Sequence, residues 1–154
     1  MKKIILTLLL CAGTLLAGEI KLADQNSTDP VYQLSLKQYP KWLCEAILEN
    51  GKTMQFISVK SMMQVYQHQE YFEKHQLIES PIKTLYVQDY MSGEKIEADK
   101  AVYLFGSKIV GPHGDDLVPF ASEERAKLFM MKNGGTKILP YAKLSKGLIR
   151  YLDM

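Results

Sequence analysis

Apolar residues recur along this chain in two rhythms, and the switches between them mark its elements. Tyr32, Leu34 and Leu36 alternate with polar residues, the period of a half-buried strand. Residues 42–48 and 52–57 flank Glu49-Asn50-Gly51, and an Asn-Gly pair is the favoured tight turn of a β-hairpin. Ser58 stands where a helix needs a cap, because its hydroxyl oxygen can accept from a free N–H of the first turn. Val59, Met62, Met63, Tyr66 and Phe72 then follow at helical spacing, and Pro81 closes that region. Residues 84–90 and 101–106 read as strands, joined by Met91-Ser92-Gly93 and an acidic connector. Gly111-Pro112-His113-Gly114 is a loop by composition. Phe120-Ala121-Ser122 leads into a second helix, with Ser122 as cap and Glu123 and Glu124 in the first turn, where the helix dipole favours acids. Its apolar positions are Ala126, Phe129 and Met130, and Gly134-Gly135 ends it. Residues 137–139 form a short strand and 144–152 a terminal helix.

The two stretches share a plan. Gly51 precedes Phe56-Ile57-Ser58 and a helix; Gly114 precedes Phe120-Ala121-Ser122 and a helix. Apolar residues recur four, seven and eight positions after each serine: Met62, Val65 and Tyr66, then Ala126, Phe129 and Met130. That is the pattern of two hairpin-then-helix units, an α+β architecture. The expected division is a first half over residues 31–80 and a second over 81–154. Residues 19–30 are expected to be a flexible lead-in, too poor in apolar residues to pack.

Residues 1–18 read as a cleavable secretory signal. Lys2 and Lys3 form the positive start, an apolar run follows from Ile4 to Leu16, and Ala17 or Gly18 marks the cut. The run is too short for a spanning helix, which needs about 20 apolar residues. Cys11 leaves a lipid anchor as the lesser alternative. The expected location is therefore the periplasm. Without Lys2 and Lys3 the chain has 17 basic and 17 acidic residues. That balance removes the electrostatic case for nucleic acid or anionic lipid. Past Cys11 only Cys44 remains, so the exported chain has no intramolecular disulfide and packing must hold it.

Hydrolytic machinery is missing from the sequence: there is no Gly-x-Ser-x-Gly elbow, no His-Glu-x-x-His and no phosphate-cradling loop. The chain is expected not to be an enzyme. His68 and His75 lie in a polar helical stretch and read as solvated face residues. His113 differs, because a loop between Pro112 and Gly114 can present its imidazole to a ligand. Methionine is abundant, with Met54, Met62, Met63, Met91, Met130, Met131 and Met154 all beyond the signal. Thioether sulfur is a soft donor suited to Cu(I). Met62 and Met130 also suit core filling. Cys44 packs as a small apolar residue or, beside soft donors, serves as a copper ligand.

In order and spacing these segments resemble the NosL family, accessory proteins for nitrous oxide reductase. The landmarks are Tyr39-Pro40-Lys41-Trp42, Asn50-Gly51, Phe56, Lys60-Ser61-Met62-Met63 and Val87-Gln88-Asp89-Tyr90. They continue with Ala98 to Tyr103, Gly106-Ser107-Lys108-Ile109-Val110-Gly111-Pro112, Gly114 and Leu117-Val118-Pro119-Phe120-Ala121-Ser122. The resemblance implies two ββαβ units related to those of organomercurial lyase, and a periplasmic Cu(I) chaperone serving nitrous oxide reductase or its assembly machinery. The residues depart from the family pattern at the sulfur donors. The usual Cys-Gly-Met element is replaced by Asp29-Pro30-Val31-Tyr32-Gln33-Leu34, and the family's Pro-Met-Gly reads Pro112-His113-Gly114. The candidate metal ligands are therefore His113 with Met62, Met63, Met91 or Cys44. The alternative is a metal-free interaction or assembly module of the same pathway. Cleavage of a carbon–mercury bond would need more than one thiol, and only Cys44 is available.

Overall fold

The structure is a computed structural model and describes residues 18–154. The expected signal, apart from Gly18, lies outside the described residues, as does Cys11. No helix among the described residues is long and apolar enough to cross a membrane.

The Asn50-Gly51 turn folds β1 (Cys44–Leu48) back onto β2 (Thr53–Phe56) in antiparallel register, Cys44 opposite Phe56. Gly51 takes a φ of +83°, open to glycine at no steric cost. Ser58 caps α1 (Val59–Gln67), accepting from the Ser61 N–H, and a break at His68 separates α1 from α2 (Gln69–Lys74). The chain returns as β3 (Ile82–Gln88), antiparallel to β1, and β4 (Lys95–Glu97) adds to its far edge. The second unit repeats the plan with β5 (Val102–Phe105), β6 (Val118–Phe120), α3 (Glu123–Asn133) and β7 (Lys137–Pro140). The sheet orders are β2-β1-β3-β4 and β6-β5-β7, so each unit sets its first strand between its second and its return strand. Terminal helix α4 (Lys146–Leu152) follows, capped by Ser145.

The match extends to single atoms. Asp29 Oδ2 accepts from the N–H groups of Val31 and Tyr32, while its Oδ1 accepts from Ile57 N–H at 2.9 Å and Ser61 Oγ at 2.6 Å. Asp89 does the same for the second unit. One oxygen accepts from Met91 and Ser92 N–H, the other from Ala121 N–H at 2.7 Å and the Arg125 guanidinium at 3.1 Å. Ile57 and Ala121 each precede the helix cap, and Ser61 and Arg125 each hold the third helical position. One buried aspartate thus ties a turn to a helix start in both halves.

Three expectations are corrected. The first unit does not end at residue 80. The pairs Glu45–Tyr86 and Ile47–Thr84 place β3 beside β1, and the sheet continues to Glu97. Tyr32 to Leu36 do not form a strand, because Asp29 engages the N–H groups of Val31 and Tyr32 in a turn, and a 3-10 turn follows over Leu36–Gln38. The segment 19–30 is not an unpacked lead-in. Ile20 is buried with Leu36, Leu43 and Ile57, and Gln55 holds the backbone of Lys21 and Ala23. Most of its polar residues reach water, while Ile20 and Asp29 are buried.

The largest cluster crosses the units. Cys44, Ala46, Phe56, Val59, Met62 and Met63 pack with Tyr103 and Leu117 from the second unit and Ile149 and Leu152 from α4. Trp42 in turn leaves the first unit to pack with Leu104, Val118, Phe120 and Ala126. The core is shared.

Candidate functional site

The long connection between β5 and β6 doubles back as a tight turn, closed by the Gly111 N–H on the Gly114 carbonyl at 2.8 Å. A side chain at Gly111 would strike Asp116 and the Gly114 carbonyl, with its Cβ 2.7 Å from the Asp116 Cβ. At the tip His113 lies flat on Tyr32, ring centroids 4.0 Å apart and planes 15° from parallel. Its side chain is 52% exposed.

What holds this turn is a buried lysine. Lys60, in the first turn of α1, lies almost wholly inside, yet its ammonium donates to the His113 carbonyl at 2.6 Å and the Leu152 carbonyl at 3.0 Å. Asp153 Oδ1 lies 3.7 Å away. A buried ammonium without such partners would be strongly disfavoured, so the side chain fixes loop and C-terminal helix together. Below, Asp116 Oδ1 accepts from the N–H of Lys60 at 3.0 Å and of Leu117 at 2.8 Å, while Oδ2 is buried without a partner. Burial pushes this carboxyl up to about 6, against the lowering effect of Ser58, these N–H groups and Lys60.

Around His113 the polar contacts form a chain. Gln64 donates to the Tyr32 hydroxyl at 2.7 Å, and that hydroxyl donates to Asp153 Oδ1 at 2.6 Å. Burial, then the bond to Asp153, raises the Tyr32 phenol, so it stays a neutral donor. The Nδ1 of His113 is 4.0 Å from the same Asp153 oxygen, beyond hydrogen-bond distance. The imidazole is therefore oriented by stacking and by its pinned backbone rather than by its own nitrogens.

The five sequence-predicted donors fall into separate surroundings. Cys44, Met62 and Met63 are sealed in the shared core. Burial raises the Cys44 thiol well above its ordinary range, with the charges of Asp116 and Asp29 adding to the shift, so it is a thiol rather than a thiolate. Met91 is exposed on the turn after β3, in a groove with Ile20, Lys41 and Gly93 that shares no residue with the contacts of His113. His68 and His75 are exposed, each with Nδ1 facing the carbonyl four residues back. Among the described residues, no three His, Cys, Asp or Glu side chains are grouped to hold an ion. Sequence reasoning missed Lys60, Asp116, Tyr32 and Asp153. Only Lys60 gave a signal, as the one charged residue of α1.

Repetition of a ββαβ unit around one core, with a histidine presented on a braced turn, defines a small two-unit α+β protein. The family model for NosL matches residues 20–149, and the chain belongs to the NosL family. The fold is that of a crystal structure described as the copper chaperone NosL from Shewanella denitrificans. Identity is 20%, the match covers 84% of this chain and 97% of that one, and the TM-score is 0.68. A solution structure of the apo-NosL protein from Achromobacter cycloclastes is 25% identical over 69% of this chain and 87% of that one, with a TM-score of 0.48. No curated protein sequence matches the chain.

Proposed function

We propose that this NosL-family chain is an exported accessory protein that carries Cu(I) as cargo and passes it towards the copper centre of nitrous oxide reductase or its assembly machinery. The observation that carries the reading is the presentation of His113, the one imidazole held on a braced turn where the family pattern has a methionine. Membership of a family in which a relative is described as a copper chaperone supplies the cargo. Imidazole is a competent Cu(I) donor and needs no thiolate. Cys44, Met62 and Met63 would serve only if the core opened, so the cargo is taken at the surface. A surface site with few ligands suits a protein that must release what it binds.

The sealing of those three sulfurs favours the second reading, a metal-free assembly module. One titration separates the two. Reduced protein lacking the signal is titrated with Cu(I) against a coloured chelator, and the titration is repeated with His113→Ala. A carrier competes with the chelator and the variant loses roughly tenfold or more in affinity. A parent protein that never competes is the assembly module. Export is tested separately by fractionating cells and measuring the mass of the N-terminal peptide, expected to begin at Gly18 or Glu19.

A further inference from the structure

We infer that Met154 supplies the thioether that pairs with the His113 imidazole to hold Cu(I). The inference rests on the copper reading above and names the sulfur that the reading leaves unassigned.

Cu(I) favours soft donors, so an accessible imidazole calls for an accessible sulfur. Burial removes Cys44, Met62 and Met63. Three methionines among the described residues are strongly exposed: Met91 at 51%, Met131 at 85% and Met154 at 97%. Met91 lies in the groove beside Lys41, and Met131 on α3. Met154 alone adjoins the residues that touch His113. It follows Asp153, whose Oδ1 lies 4.0 Å from His113 Nδ1, and it is two residues beyond Leu152. The Leu152 and His113 carbonyls accept from the same Lys60 ammonium, which brings the end of α4 and the histidine turn within a few ångströms of each other. The Met154 N–H also reaches the Tyr151 carbonyl at 3.4 Å, so its backbone belongs to that turn.

The surroundings suit a monovalent soft cation. His113 Nδ1 makes no hydrogen bond to Asp153, whose carboxylate, 4.0 Å away, also lies 3.7 Å from the Lys60 ammonium that offsets its charge. Tyr32 holds that carboxylate with a hydrogen bond and supports the ring from below. Consecutive Cα atoms are about 3.8 Å apart, so the flexible methionine side chain starts one residue from the carboxylate facing the ring.

The experiment uses Cu(I) itself, in competition with a coloured chelator, on parent, His113→Ala, Met154→Leu and Met131→Leu proteins. A second readout follows the methionine ε-methyl resonances by NMR as one equivalent of Cu(I) is added. The expected result is that Met154→Leu weakens binding by roughly tenfold or more, the scale on which even an outer partner of a metal ligand counts. Met131→Leu should match the parent, and the Met154 methyl should move. If Met154→Leu binds like the parent while His113→Ala loses binding, this inference is overturned and the copper reading stands. If the parent itself fails to compete, both are overturned. Removal of a fully exposed side chain leaves the core untouched, so a loss cannot be assigned to unfolding.

Discussion

Asp116 carries its charge where the fold resists it, and the consequence is a pH dependence of stability. Its carboxyl sits at about 6 in the folded chain, above the value near 3.9 expected when unfolded. Between those values the folded state holds more protons than the unfolded one, so this residue's contribution falls as pH rises from about 4 to about 6 and is flat above. The size is on the order of 2–3 kcal/mol. Asn at this position keeps one oxygen for the Lys60 and Leu117 N–H groups and removes the charge. In urea unfolding, the stability of Asp116→Asn relative to the parent should therefore rise across that window; a difference independent of pH would contradict the assignment. Asp89 runs the other way. Burial alone would raise its carboxyl, but the N–H groups of Ala121 and Ser92, the Arg125 guanidinium and the Met91 N–H hold it below the ordinary range. Its share of stability is lost only as pH falls through that lowered value.

The helix starts are the elements that the sequence announces best. Each carries a serine cap observed in the structure, Ser58 on Ser61 N–H and Ser122 on Arg125 N–H. Ser58→Ala and Ser122→Ala should each cost about 1 kcal/mol, read as a shift of the urea midpoint. The β1–β2 hairpin was equally legible, because the Asn-Gly turn and flanking apolar runs are local signals. Strand β6 was not: it has three residues, the middle one Pro119. A proline lacks the N–H of a ladder, yet β6 is an edge strand, where that loss is tolerated. β4 and the packed segment from Ile20 were hidden for another reason. Their order comes from distant partners, Tyr86 with Glu97 and Gln55 with the backbone of Lys21, which no local period reports. The site divides in the same way. His113 stood out as a histidine between Pro112 and Gly114, whereas its support by Lys60, Tyr32 and Asp153 spans contacts between residues far apart in sequence.

At the scale of the molecule, the two units do not own separate cores. Tyr103 and Leu117 complete the cluster of Cys44 and Met62, and Trp42 completes that of Phe120. Trp42 is the sole tryptophan, so it reports from the second unit's core while belonging to the first. Unfolding should accordingly be one transition. Tryptophan fluorescence and far-UV circular dichroism should share a midpoint in urea, and a lag between them would show that the units melt apart. The enclosure of Cys44 reaches furthest. Its sulfur meets no solvent and donates weakly to the Trp42 carbonyl. An aromatic disulfide reagent should leave the native chain untouched and titrate one thiol per chain, apart from any signal residue, once urea is added. Among the described residues, two folded copies in an oxidising medium therefore have no sulfur to join them, and this part of the chain stays unlinked without any reductant to keep it so.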